Sequence, residues 1–269
     1  YNQRKFKGIL YMSLAIVINR LCKIFGSLLK GISYIIYFIF PKLRFKIPKV
    51  SKVKISSKTN YLIPKIIWQT NYSNIVTLPV YVNYLFNRLM SLDWEYRYVS
   101  TEDRLEYIKQ NASKNYIEAF EKLTDGASQA DFWRLFVLNN IGGVYMDIDA
   151  HVVLPLSKLI NPEDKELFIK SKVRYNNYFL ATTPNNKHFK NTLDLIVDNI
   201  ENRRVEGGVY SLTGPMALNQ AIGDEKINYK LYKYVCIQGS FTNEYFQYMD
   251  KPRGKWTHAK KENLLKKVD

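Results

Sequence analysis

A glycine pair between a helical and a strand-like segment is the feature that most limits the folds open to this chain. Residues 126–140 have the apolar spacing of a helix, and Gly142 and Gly143 follow where helices usually end. Residues 144–149 then alternate with period two, which is typical of a strand with two different faces. A helix that leads directly into such a strand favours an α/β fold.

The segments before this unit have the same mixture of short apolar runs and helical spacing. The pattern predicts strands at 65–69 and 96–99, and helices over 79–91 and 116–123. Ser100 and Asp103 resemble a capping box that begins a helix ending near Gln110. We therefore expect one α/β domain over 61–269, preceded by a segment of different character over 1–60 that ends in a Ser/Lys-rich linker.

Composition excludes several classes of protein. A hydrophobic fraction of 46%, with 14% aromatic residues, excludes a disordered chain. Two cysteines exclude a disulfide scaffold and a zinc cluster built on cysteine, and three histidines leave little for a histidine-rich metal site. We therefore expect any chemistry to depend on carboxylates.

The net charge of +16 is concentrated at one end of the chain. Residues 1–92 contain 15 of the 40 Lys and Arg residues and no acidic residue, so the remainder is almost neutral. A basic stripe of this kind is compatible with nucleic-acid binding, but here the basic residues surround apolar runs at 8–18 and 24–40. We interpret 1–60 as a membrane-associating segment without nucleic-acid binding.

The second apolar run has the pattern of an amphipathic helix. Ile24, Leu28 and Ile35 fall on its apolar stripe, whereas Lys30 and Tyr34 fall on the opposite side. Neither run alone reaches the roughly 20 residues that cross a bilayer. The alternatives are a tilted single span that uses both runs and a set of ordinary helices that pack on the body.

The carboxylates most suited to chemistry lie at the end of the strand after the glycine pair. The alternation places Tyr145, Asp147 and Asp149 on one face, at the carboxyl end where α/β sheets collect ligands. Two like charges 4 Å apart repel by about 4 kcal/mol at an effective dielectric of about 20, and a divalent cation removes that cost. Oxygen ligands suit Mg²⁺ or Mn²⁺. A strand end that simply emerges into solvent is the alternative.

The acid-x-acid spacing is not specific by itself, since it also occurs at 93–95 and 164–166 among turn-like or charged residues. Within the predicted helix over 126–140, Asp131 and Arg134 share a face. A solvent-exposed ion pair is the common outcome at this spacing.

Four motifs in this order resemble a known enzyme family. Residues 63–70 (IPKIIWQT), 130–134 (ADFWR), 142–149 (GGVYMDID) and 212–215 (LTGP) are similar to the glycosyltransferases with a DxD-containing sugar-binding region, glycosyltransferase family 32. This family includes fungal Golgi mannosyltransferases and bacterial capsule and lipopolysaccharide transferases. The resemblance implies a GT-A-type nucleotide-sugar-binding fold, a Rossmann-like mixed sheet flanked by helices.

The resemblance also implies roles for individual residues. Asp149 and Asp147 would bind Mn²⁺ or Mg²⁺. The implied catalytic residues are Asp131, Arg134, Asp147 and Asp149. The implied donor-binding residues are Trp68, Tyr145, Asn177, Gly214 and Trp256. Among these, Trp68 would stack on the nucleotide base, Asp131 and Arg134 would contact sugar hydroxyls, and backbone N–H groups at 213–215 would face the acceptor or the phosphates.

The implied activity is a metal-dependent, retaining transfer of a sugar from a UDP- or GDP-sugar to a glycan or glycolipid acceptor in cell-surface polysaccharide or lipopolysaccharide synthesis. The basic leader suits the cytoplasmic face of a bacterial inner membrane, and a Golgi lumen is the alternative. Two other functions stay open. One is a different metal-dependent nucleotide-processing transferase, and the other is a non-catalytic basic protein that binds membranes or polyanions.

Overall fold

The computed structural model describes residues 2–252 and 254–267, with side chains from residue 11 onward. Its strands are β1 (Phe45–Lys46), β2 (Val50–Ser51), β3 (Ile66–Thr70), β4 (Ile75–Val76), β5 (Glu95–Val99), β6 (Gly143–Met146), β7 (Ala150–Val152), β8 (Glu166–Lys170), β9 (Tyr175–Thr182), β10 (Tyr229–Leu231) and β11 (Cys236–Gln238). Its helices are α1 (Asn2–Ile39), α2 (Leu78–Leu89), α3 (Thr101–Asn111), α4 (Lys114–Lys122), α5 (Gly126–Ile141), α6 (Leu156–Leu159), α7 (Lys187–Glu201), α8 (Gly208–Leu212), α9 (Pro215–Ile222) and α10 (Glu244–Gln247).

Seven of these strands form one mixed sheet in the order β10-β8-β9-β6-β3-β5-β2. Strand β3 runs parallel to both β5 and β6, whereas β9 is antiparallel to its neighbours β6 and β8. Helices α5, α7 and α9 cover one face of the sheet, and α1, α2 and the β7–β11 pair cover the other. The predicted α/β class, a mixed sheet flanked by helices with an apolar N-terminal helix, is confirmed.

The glycine pair joins α5 to β6 as the sequence predicts. Gly142 and Gly143 have φ angles of 78° and 108°, in the region that favours glycine. A Cβ on Gly143 would lie 2.5 Å from the carbonyl oxygen of Ile66, so only glycine lets β6 approach β3 this closely. The other predicted body elements lie within two residues of the observed ones, and both hydrogen bonds of the Ser100–Asp103 capping box are present.

The predicted strand over 144–149 is too long. Tyr145 faces the α5 side of the sheet, and Val144 and Met146 face the other side, which confirms the alternation over these three residues. Strand β6 then ends at Met146, and a turn follows in which the Ala150 N–H donates to the Asp147 carbonyl at 3.0 Å. The chain turns here because β7 pairs with β11 and leaves the seven-stranded sheet.

The two apolar runs of the leader lie in one continuous helix, α1. Within α1, residues 11–39 are long and apolar enough to cross a membrane by length and composition. The boundary at residue 60 stays a prediction. Before it, β1 pairs with β4 and β2 pairs with β5, so part of the 1–60 segment adds strands to the body.

Candidate active site

A cavity of about 370 Å³ lies at the carboxyl ends of β3, β5 and β6. This is the position at which α/β sheets collect ligands. The walls include eight of the nine predicted site residues: Asp131, Arg134, Tyr145, Asp147, Asp149, Asn177, Gly214 and Trp256. Its volume is within the range of small-molecule sites, roughly 300–1,000 Å³.

The two acids of the turn after β6 meet at one side chain from a distant part of the sequence. The Gln238 Nε2 donates to Asp147 Oδ2 and to Asp149 Oδ1, each at 3.1 Å. Gln238 is placed here because β11 pairs with β7, opposite Ala150, and because the next N–H donates to the Asp149 carbonyl at 3.0 Å. The acids therefore converge through a turn and a long-range strand pair rather than through strand alternation.

Burial and like charge raise the pKa of Asp149. Burial is the larger cause, the charge of Asp147 is the next, and together they raise the pKa to about 6. The negative charge of this turn is therefore costly until a cation neutralises it.

Arg134 links the two acidic regions of the cavity. Its guanidinium lies 3.1 Å from Asp131 Oδ1 and 3.2 Å from Asp147 Oδ1, and 4.4 Å from the centre of the Tyr145 ring. The Tyr145 hydroxyl also donates to Asp147 Oδ1 at 2.8 Å. Arg134 is buried, so this is not the exposed ion pair that the spacing commonly gives. Its geometry holds Asp147 in one orientation.

Asp131 is enclosed by hydrogen-bond donors. Asn177 Nδ2 donates to Oδ1 and Thr213 Oγ1 donates to Oδ2, both at 3.0 Å. Burial raises the pKa of Asp131 to about 7, although Arg134 opposes the shift. Both carboxylate oxygens have protein donors, which makes Asp131 an anchor for Arg134. Direct contact of Asp131 with a sugar stays a prediction.

The structure contradicts the predicted base contact of Trp68. This side chain is only 4% exposed and is not part of the cavity wall. It packs on the α5 face of the sheet, where its Nε1 donates to the Gly142 carbonyl at 2.9 Å and its ring meets Trp133 edge-on. Strand β3 reaches the cavity only at Thr70, so the aromatic residue that lines the cavity there is Tyr72.

The backbone at residues 213–215 is also not available to a ligand as predicted. The N–H groups of Thr213 and Gly214 both donate to the Val209 carbonyl, and Pro215 has no N–H. Gly214 still lines the cavity, and its role in donor binding stays a prediction.

The C-terminal part of the cavity wall comes from a loop after α10. Trp256 lines the cavity and is 45% exposed, so its predicted contact with the donor is sterically possible and stays a prediction. His258, two residues further along the chain, lies 2.8 Å from a Glu244 carboxylate oxygen.

Sequence reasoning missed many of the side chains that line the cavity, among them Tyr72, Arg104, Gln238 and Lys251. Tyr72 carries a local signal, because it is an aromatic residue three positions after the end of a predicted strand. The other three have none, since their positions depend on contacts between segments far apart in sequence.

The acid turn fits a hard divalent cation. Within residues 11–252 and 254–267 no group of three His, Cys, Asp or Glu side chains surrounds a common point. The available ligands are the carboxylates of Asp147 and Asp149 and the amide of Gln238, whose nitrogen occupies the point on which both acids converge. The oxygen atoms of two partly buried carboxylates match Mg²⁺ or Mn²⁺, which retain several waters.

Comparisons with known proteins agree with this site. Residues 79–167 match the family described as glycosyltransferase sugar-binding region containing DXD motif. A protein named Toxin from Photorhabdus asymbiotica subsp. asymbiotica is 32% identical over 124 residues, which are 44% of this chain and 4% of that protein. The chain thus spans a small fraction of this relative.

Two solved structures show a limited similarity to this chain. The PaToxG glycosyltransferase has a TM-score of 0.47 and 20% identity, over 60% of this chain and 69% of that one. The ligand-free glycosyltransferase domain from the YGT toxin has a TM-score of 0.34 and 14% identity, over 47% of this chain and 49% of that one. The matched region of the family includes the acid turn and the ion pair of α5. The match of residues 79–167 to the family model supports a glycosyltransferase of the DXD-containing sugar-binding type.

Proposed function

We propose that this protein transfers a sugar from a nucleotide-sugar donor, with a UDP- or GDP-sugar as the donor class, to an acceptor at a membrane surface. The observation that carries the proposal is the convergence of Asp147 and Asp149 on the Gln238 amide at the mouth of three parallel strands. Two partly buried acids in this geometry favour a divalent cation, and a cation in this position suits a diphosphate.

The chain's own residues would prepare the transfer. Asp147 and Asp149 would hold the cation, which supplies positive charge for the departing diphosphate. Arg134 and the Tyr145 hydroxyl keep Asp147 in place. In a retaining transfer, the bond from the anomeric carbon to the phosphate oxygen breaks and the bond to the acceptor oxygen forms on the same face. The acceptor proton then goes to the leaving phosphate.

The outward face of α1 supports an acceptor or an anchor in a lipid bilayer. Leu28, Ile32 and Ile35 on this face are each more than half exposed. Basic residues of the leader favour an anionic surface, as on the cytoplasmic face of a bacterial inner membrane. A glycolipid or a membrane-bound glycan fits this placement, in cell-surface polysaccharide or lipopolysaccharide synthesis.

A second candidate is the transferase part of a toxin. It is favoured by the 32% identity to a protein named Toxin over 124 residues. The two candidates differ in the acceptor and share the donor chemistry, so one donor assay tests both.

The test is a screen of UDP- and GDP-sugars in which release of the nucleoside diphosphate is measured with Mn²⁺, with Mg²⁺ and with a chelator. We expect turnover with metal and loss in the chelator. Asp147→Asn and Asp149→Asn should each lower turnover by about 100-fold or more, the range found for a lost electrostatic contact to the transition state. Asp164→Asn, in an acid pair of the same spacing outside the cavity, is the control. Full turnover by either site variant would refute the assignment.

A further inference from the structure

Arg104 is a buried cation in the wall of the cavity without a counter-ion in the described part of the chain. The residue is 2% exposed and lies in the first turns of α3. Its Nη2 donates to Thr101 Oγ1 at 3.0 Å, and its Nε has no hydrogen-bond partner. The arginine ion pairs within residues 11–252 and 254–267 involve Arg44, Arg97, Arg134 and Arg204 only.

The guanidinium charges of the other buried arginines have more hydrogen-bond or ion-pair partners. Arg134 has the carboxylates of Asp131 and Asp147. Arg88 also lacks a partner for Nε, but its two terminal nitrogens donate to three backbone carbonyls, at 2.6, 3.0 and 2.5 Å. Arg104 has one neutral hydroxyl in their place. A buried charge with so little compensation is costly unless a ligand supplies the missing charge.

The position of Arg104 relates it to the donor rather than to a remote site. Helix α3 follows β5, and the acid turn follows β6. Strand β3 lies between β5 and β6 in the sheet, so the start of α3 and the acid turn are separated by two strand spacings, or about 10 Å. Burial lowers the pKa of Arg104 to about 10, while the Tyr145 hydroxyl opposes the shift, so the side chain is charged at neutral pH. Arg134 is already neutralised by two acids, which leaves Arg104 as a cation for the ligand.

We propose that Arg104 binds an oxyanion of the molecule that fills the cavity, a phosphate of the donor's diphosphate or a carboxylate on its sugar. The planar guanidinium offers paired N–H donors that match either group. This inference rests on the proposed function for the identity of the ligand, but anion binding itself requires no transfer. Arg104 would then select donors by charge at a point separate from the acid turn.

The test measures binding at equilibrium in the presence of a chelator, with inorganic pyrophosphate and with glucuronate as separate probes. We expect Arg104→Gln to weaken binding of one probe by about 10-fold or more, the effect of one charge-assisted hydrogen bond. Arg104→Lys keeps the charge and should lose less. Arg204→Gln removes an equal charge from the surface, far from the cavity wall, and should change binding less than about twofold, the size of a screened surface effect.

Each outcome has a distinct meaning. Selective loss of pyrophosphate binding assigns Arg104 to the diphosphate, and selective loss of glucuronate binding assigns it to a sugar carboxylate. Binding of both probes by Arg104→Gln at the level of the unaltered protein, or by neither protein, overturns the proposal. If Arg104→Gln does not fold, as judged by circular dichroism, Arg104→Met, which removes the charge and keeps an unbranched side chain, decides by the same criteria. Donor turnover in the Asp147 and Asp149 variants tests the proposed sugar transfer and does not depend on these binding results. Failure of the proposed transfer can therefore be distinguished from failure of anion binding by Arg104.

Discussion

The cavity wall and the outer face of α1 depart in opposite ways from the usual partition of polar and apolar residues. In the wall, Asp131, Arg104 and Arg134 are each less than 9% exposed although they are ionisable. On α1, apolar side chains are exposed instead, up to 89% for Phe38. Soluble proteins rarely do either without a partner, because buried charge and exposed apolar patches both cost free energy. We propose a different partner for each region, a charged ligand for the cavity wall and a lipid surface for α1.

Helix α1 packs on a chain segment that also contributes to the cavity wall. On its inward side α1 presents Ala15, Cys22, Ser33 and Tyr37, all buried, together with Gly26. A Cβ on Gly26 would lie 2.0 Å from the carbonyl oxygen of Ser240, so α1 approaches the backbone directly after Gln238. The segment that supports the acid turn is thus the segment on which the apolar helix packs.

The largest effect outside the active site should come from the outer face of α1. Leu28→Gln combined with Ile35→Gln should lower the affinity for vesicles that contain anionic phosphatidylglycerol by at least about 10-fold, because each buried aliphatic side chain contributes about 1.5–3 kcal/mol. Co-sedimentation with vesicles measures this affinity. Ser27→Gln, at an exposed polar position of the same helix, is the control, and equal binding by the double variant would break the contrast between the two regions.

The contact between the two regions should be sensitive to a single methyl group. Gly26→Ala should lower the free energy of unfolding by about 1–3 kcal/mol, the usual cost of overpacking, because backbone atoms occupy the space. Gly31→Ala is the matched control in the same helix, since nothing lies within 4 Å of its added Cβ. There the better helix propensity of alanine should raise stability by up to about 1 kcal/mol. Chemical denaturation compares the pair, and equal changes would contradict the packing of α1 on residue 240.

The smallest effect should appear in the pH dependence of stability. The folded pKa of Asp149 is raised to about 6 from its ordinary value of 3.8, so the folded state binds the extra proton between these pH values. This contribution to stability is fully present below about pH 4 and is lost as the pH rises through about 6. In a chelator, the difference in melting temperature between the unaltered protein and Asp149→Asn should therefore change between pH 4 and 7. A constant difference in melting temperature would show that the pKa of Asp149 is not raised in the folded protein.

Local sequence patterns were sufficient for the elements but not for the whole cavity. The glycine pair and the spacing of Asp131 and Arg134 place α5, β6 and their ion pair, because these depend on neighbours within one or two helical turns. Trp68 was assigned to the cavity from the resemblance to the family, and nothing in its strand marks where the strand ends. In the structure, the side chain at the ligand edge is Tyr72.

The long-range parts of the site were not predictable from one sequence. Gln238 reaches the acid turn only because β11 pairs with β7, a register that no local motif specifies. The same holds for Thr213, whose hydroxyl rather than its backbone approaches Asp131. Burial of Arg104 without a carboxylate is likewise a property of the packed structure, since its helical position alone predicts a surface residue.

The central claim is that Asp147 and Asp149 share one divalent cation, and electron paramagnetic resonance of Mn²⁺ tests it most directly. Titration of the protein with Mn²⁺ in the presence of UDP or GDP should give one bound ion per chain. Asp149→Asn should weaken that binding by about 10-fold or more, as expected for loss of a ligand or its support. Unchanged Mn²⁺ affinity in Asp149→Asn and Asp147→Asn would contradict the account.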